Sequence, residues 1–143
     1  MSNIQDVVMQ IQDAMGALPG MKSAPDYPPE SIDMFPFTVA YEGAGTWELS
    51  AGQKRWIGDV IVELHMARKD LPRDVAKAAY YSDKVPNAIL KEFTSDLLGG
   101  TTEAITSIKS SGIVFMQYNT AQGAGEHLGI IYSVNIKLIS SIT

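Results

Sequence analysis

The side chains of this sequence most able to do chemistry are His65 and His127, its two histidines, and Glu63, two residues before the first of them. Residues two apart on an extended strand share a face, so Glu63 and His65 point the same way. A His, Glu and His set could hold zinc and activate water. No His-Glu-x-x-His helix accompanies them. Both histidines fall on the wetter face of the strands they occupy, so the expectation is a solvated face with no metal and no cofactor.

Other chemical motifs are fragments. Gly43-Ala44-Gly45 and Gly123-Ala124-Gly125 resemble pieces of phosphate-cradling loops, but neither leads into a helix whose N-terminus could receive an anion. Both read as hairpin turns. Ser110-Ser111-Gly112 lacks the Gly-x-Ser-x-Gly frame of a nucleophile elbow, and the carboxylates are spread singly. The residues offer no recognisable catalytic centre, and the chain is not read as an enzyme.

The elements that must position these residues are written in the periodicities. From Leu128 to Ile142 one strand face reads Leu128, Ile130, Tyr132, Val134, Ile136, Leu138 and Ile142. The other carries His127, Gly129, Ser133, Asn135, Lys137 and Ser141, with Ile131 and Ile139 as exceptions. Between Arg55 and Arg68 a second alternation sets Trp56, Val60, Val62, Leu64 and Met66 against Arg55, Asp59, Glu63 and His65. This pattern predicts a half-buried central strand. Phe37 to Tyr41 reads as a strand, Glu42 to Gly45 as a turn, and Thr46 to Ser50 as the returning partner. Thr102 to Ser107 and Ile113 to Tyr118 read as further strands, followed by a small-residue loop, Asn119 to Gly125.

Helical spacing of Ile4, Val7, Val8, Ile11, Met15 and Leu18 predicts an N-terminal helix, with Ser2 and Gln5 as its capping box. Asp70 can cap a second helix through Tyr81, with Val75, Ala78 and Ala79 as a modest apolar stripe. Pro86 restarts a third, whose stripe Ile89, Leu90, Phe93 and Leu97 stops at Gly99-Gly100. The resulting class is α+β: a largely antiparallel or mixed sheet, helices packed on one face, and a projecting hairpin and loops at Ala40 to Gln53 and Asn119 to Gly125. Trp56 reads as core and Trp47 as an interface residue.

With 143 residues the chain fits one domain, residues 1–143, able to bury a real core. Its net charge of −5 argues against a phosphate-binding surface. Without cysteine there is no disulfide, thiolate nucleophile or sulfur-ligated metal. No apolar run is long enough to span a bilayer, and Met1-Ser2-Asn3-Ile4 lacks the basic flank of a signal peptide, so folding in the cytosol is expected.

A short amphipathic helix, Ile4 to Leu18, leads into Tyr27-Pro28-Pro29 and Phe35-Pro36-Phe37. A long strand, Trp56 to Met66, then precedes helices ending Phe93-Thr94-Ser95-Asp96-Leu97-Leu98-Gly99-Gly100, and hydrophobic strands close the chain. This layout resembles the tail terminator, or tail completion, proteins of long-tailed bacteriophages. The resemblance implies a virion protein, assembled in the host cytoplasm, forming a homo-oligomeric ring, usually a hexamer. The ring would cap the head-proximal end of the tail tube, stop its polymerisation and join it to the head connector. Tail tube protein and head-tail connector protein are then the partners, and DNA passes through the lumen without specific binding. The segments corresponding to contact regions contain Glu42, Trp47, Glu48 and Gln53 in the hairpin, and Asn119, Gln122 and Glu126 near the later loop. Two other classes stay open: a head-to-tail adaptor or stopper of the same particles, and a small α+β ligand-binding domain or enzyme using the face of His65, Glu63 and His127.

Overall fold

The computed structural model describes residues 3–25, 29, 34–67, 71–94, 103–120 and 123–141. In chain order its elements are α1 (Ile4–Gly16), β1 (Phe37–Ser50), β2 (Gln53–Met66), α2 (Leu71–Thr94), β3 (Glu103–Ser110), β4 (Val114–Thr120) and β5 (Gly123–Ser141). The five strands form one antiparallel sheet in the order β1-β2-β5-β3, with β4 also paired to β5. Both β2 and β4 pair with Leu128 and Gly129, so β4 shares the edge of β5 that β3 uses further along. The fold is α+β, with helices packed on the sheet.

The alternations of β2 and β5 decide which face the helices cover. Val60, Val62 and Leu64 pair with Val134, Tyr132 and Ile130, and all are buried with Val7, Val8, Ile11 and Met15 of α1 and Ala78, Tyr81, Val85 and Ile89 of α2. Such side chains each contribute about 1.5–3 kcal/mol on leaving water, so this layer is the main source of stability. Gln12 ties α1 to the sheet: its Nε2 donates to the Thr38 carbonyl at 3.0 Å and to the Pro25 carbonyl at 2.8 Å.

Several sequence expectations are corrected. The cap of α1 is Asn3, whose side chain accepts from the Asp6 amide while Asp6 accepts from the Asn3 amide; Ser2 lies outside the described residues. The two expected later helices are one, because α2 runs through Pro86. A proline inside a helix strands the carbonyl four residues earlier. Here that group is Ser82, and its carbonyl accepts a hydrogen bond from the Tyr132 hydroxyl of β5 at 3.3 Å. The buried face of α2 is Asp74, Ala78, Tyr81, Val85 and Ile89, whereas Val75 and Leu90 are exposed. Asp70 and Leu97 lie outside the described residues, as does the side chain of Phe93.

Neither glycine triplet is a turn. Gly43-Ala44-Gly45 sits inside β1 at a shift of register between Glu42 and Gly45. Gly45 pairs with Gly58, and the Trp56 indole occupies the space that a Cβ at either position would need. The reversal comes instead at Ala51 and Gly52, both at positive φ, 45° and 80°. Two such residues make the tight turn whose twist suits a hairpin. Of the expected loop Asn119 to Gly125, the described residues are strand: Asn119 pairs with Ala124 and Thr120 with Gly123, while 121 and 122 lie outside the described residues.

Candidate functional site

The face of the sheet away from the helices holds the three residues with chemical potential. β2 places Glu63 and His65 two apart, and β5 brings His127 beside them. His65 Nδ1 lies 2.6 Å from His127 Nε2, and His65 Nε2 lies 2.9 Å from Glu63 Oε1. The Tyr41 hydroxyl of β1 donates to Glu63 Oε2. The expected solvated face is therefore wrong at this spot: His65 is 0% exposed and His127 3%. Their cover is aromatic, with Phe37 5.4 Å from the His65 ring and Phe35 5.3 Å from the His127 ring, centroid to centroid.

The hydrogen bonds form a directed chain. The hydrogen bond from His65, helped by that from Tyr41 and opposed by burial, holds the Glu63 carboxyl below its usual range, so it is an anion that only accepts. With both imidazoles neutral, His65 then carries its hydrogen on Nε2, and its Nδ1 must accept from His127 Nε2–H. Both nitrogens of His65 are thus committed to protein partners. Among the described residues no group of three or more His, Asp or Glu side chains is placed to hold a metal ion. The expected His, Glu and His set is brought together, but as a buried chain under two phenylalanines. The missing member was Tyr41, and its signal was the two-residue spacing of Phe35, Phe37, Val39 and Tyr41 on the face that meets the histidines.

Of the expected contact residues, Trp47, Glu48 and Gln53 lie towards one end of the sheet and Glu126 towards the other, whereas Glu42, opposite Val60, lies in its middle. Glu42, Trp47, Glu48 and Gln53 are exposed on the β1–β2 hairpin. That hairpin does not stand free, because β5 pairs along β2 as far as Gln53↔Ser141. Trp47 is 47% and Leu49 74% exposed; Lys54 Nζ sits 5.0 Å from the Trp47 ring centre, and Arg55 Nε donates to Glu48 at 2.9 Å. Glu48, Leu49, Gln53, Lys54, Arg55 and Ile139 line an open hollow of about 250 Å³. At the far end, among the described residues, those of β5 before Leu128 pair with β4 and not with β2, forming a hairpin that extends beyond the last β2 pair. Glu126 and Phe115 are exposed there. Asn119 lies on β4 with its side chain outside those described, and Gln122 lies outside the described residues. Along β5, Phe115 is level with Leu128 and the Trp47 to Arg55 group with Leu138 to Ser140, so at roughly 3.3 Å per residue the two groups of exposed side chains are about 35–45 Å apart.

No known family model matches the chain, and no curated protein is significantly similar to it. Trp56, expected in the core, is buried there at 3% exposure.

Proposed function

We propose that this chain is a structural assembly protein of the tail-terminator kind: a subunit that closes into a ring at the head-proximal end of a phage tail tube, ends tube growth and joins the tube to the head connector. The reading is supported above all by the separation of two exposed sheet ends. One presents Trp47, Leu49, Lys54 and Arg55, level with Leu138 to Ser140 of β5, and the other Phe115, level with Leu128, and Glu126, roughly 35–45 Å apart along the strand. Exposed aromatic and apolar side chains beside charged ones suit protein contacts. Two such zones at opposite ends suit a subunit that must meet different neighbours on its two sides. Among the described residues β1 is the strand at one edge of the sheet and β3 and β4 are those at the other, and contacts between unlike edges that close on themselves make a ring.

An enzymatic or ligand-binding use of the histidine face is disfavoured by burial. A substrate must reach the atoms that act on it, and His65 is fully enclosed. An adaptor or stopper of the same particles shares the two-ended shape and differs in which neighbour it meets first. Negative-stain images of the purified protein, alone and after mixing with tail tube protein or connector protein, test the proposal. Rings seated on tube ends are expected; binding to the connector alone would favour the adaptor.

A further inference from the structure

We infer that copies of this chain join side to side by unlike sides, the acidic α1–β1 side of one copy meeting the basic α2–β3 side of the next, a contact that rests on the ring reading above and names the surfaces that would close it. Charge is divided along the sequence. Residues 1–50 hold seven acidic side chains and one basic one, Lys22, a net charge of −6, whereas residues 51–143 hold nine acidic and ten basic, a net charge of +1.

The fold turns this division in sequence into one in space. β1 is the strand at one edge of the sheet, and α1 packs on it, tied by the Gln12 bond to the Thr38 carbonyl. Asp6, Asp13, Glu42 and Glu48 are exposed on these two elements, neither of which contains Lys or Arg. Asp6 caps α1 and Glu48 accepts from Arg55, so Asp13 and Glu42 are the acids best placed to meet a neighbour. The other side is α2, packed over β5 and β3, together with β3 itself. Arg73, Lys77, Lys84, Lys91 and Lys109 are exposed there, with Asp83 as the exposed acid among the described residues. Arg73 and Lys91 also make contacts within the subunit. Lys77, Lys84 and Lys91 recur every seven residues, the spacing of Asp6 and Asp13. Seven residues are almost two helical turns, about 10.5 Å, so each set lines one helix face and the two share a repeat.

The sheet edges fit this polarity. The Lys22–Ser23 segment covers the start of the outer edge of β1, through the bonds from its amides to the Pro36 carbonyl and from the Thr38 amide to the Ser23 carbonyl. Beyond Thr38, the described residues place β2 on one side of β1 and no strand on the other. Edge strands are ordinarily kept from pairing by Lys, by Pro, by shortness or by a bulge. β1 has 14 residues, no Lys and no Pro, and its guard is the bulge between Glu42 and Gly45. Two β1 edges brought together would set acids against acids, which opposes that pairing. A β1 side meeting an α2–β3 side sets acids against lysines. The contact is therefore heterologous, the kind that closes into a ring or runs on as a filament.

Charge-swapped variants of the full chain, followed by analytical ultracentrifugation without any tail protein, test this contact. One variant carries Asp13→Lys and Glu42→Lys, the other Lys77→Glu, Lys84→Glu and Lys109→Glu. The wild type should assemble at about 0.1 M salt, and its dissociation constant should rise at least tenfold at about 1 M, where the screening length falls from roughly 10 Å to 3 Å. Each variant alone should stay monomeric, and an equal mixture should assemble, because alternating copies set opposite charges at every contact. A wild type that is monomeric at both salts, a folded variant that assembles alone, or a mixture no better than its components would overturn the contact. All the substituted positions are exposed; should a variant fail to fold by circular dichroism, Ser at the same positions replaces it, and there an unchanged dissociation constant overturns the contact. Assemblies that obey the swap yet ignore tail tubes would support the contact and remove the tail role; variants that each cap tubes alone would sink the contact and leave that role standing.

Discussion

His65 and His127, 62 residues apart in sequence, meet through one hydrogen between Nδ1 and Nε2 at 2.6 Å, and Glu63 fixes the direction of that hydrogen from the other side of His65. The relationship turns three polar residues into one buried hydrogen-bonded chain. Such a unit is costly to leave half made, because a buried donor or acceptor without its partner bears its full desolvation cost.

Glu63→Gln removes the charge from this unit while nearly keeping its shape. Hydrogen bonds to a charged group are worth about 1.5–3 kcal/mol, so the variant should be less stable by roughly that amount at pH 7. The His65 hydrogen bond holds the folded Glu63 carboxyl below its ordinary 4.5. A carboxyl depressed in the folded state contributes stability above its unfolded value and loses it as pH falls through the folded one. Urea melts of both proteins should therefore show a gap that is constant above pH 5 and closes below pH 4.5; a gap that does not change with pH contradicts the assigned charge.

Tyr132 performs two tasks, filling the core and capping the carbonyl that Pro86 strands at Ser82. Tyr132→Phe keeps the first and removes the second, at a cost of about 0.5–1.5 kcal/mol for the loss of a part-buried hydrogen bond. Burial pushes the Tyr132 hydroxyl up to about 12 from 10.0. Its contribution is fully present below pH 10 and is lost as pH rises towards 12. Alkaline melts of the wild type should fall more steeply than those of the phenylalanine variant, and parallel curves would count against this role.

Ile136 is wholly enclosed between β2 and β3, so Ile136→Ala should cost about 2–5 kcal/mol through lost burial and the cavity left behind. Chemical denaturation with a change under about 1 kcal/mol, the behaviour of a surface site, would reject its place in the core.

How much of this was legible in the sequence follows from which contacts each feature needs. The alternations of β2 and β5 are local and name the buried face residue by residue, Trp56 and Tyr132 included. The histidines were placed on the correct face, but their solvation was misjudged because their cover, Phe35 and Phe37, depends on the pairing of Phe37 with His65. Pro86 reads as a helix break until Tyr132 arrives from 50 residues away to receive the loose carbonyl. The glycines of β1 read as a turn because the Trp56 ring that fills their place is invisible locally. Overlapping Ser2–Gln5 and Asn3–Asp6 frames both fit a capping box, and local pattern does not choose between them. The contact residues Glu42, Trp47, Glu48, Gln53 and Glu126 were legible as exposed, while the partner they would meet is not written in this chain's packing.

Trp47→Ser combined with Leu49→Ser separates assembly from folding. Both side chains lie in the exposed part of the β1–β2 hairpin, so thermal stability should change by less than about 1 kcal/mol, with circular dichroism unaltered. Tails made with the variant should grow to irregular length or fail to join heads. Normal tails from a stable variant would move the contact to the β4–β5 end, where Phe115 is exposed.

Negative-stain imaging of the wild-type chain mixed with tail tube protein tests the structural role most directly. Closed rings with a central hole, seated on tube ends and absent when the Trp47 and Leu49 variant is used, are the predicted result. Tubes that keep growing in the presence of the wild-type chain, with no ring at their ends, would contradict it.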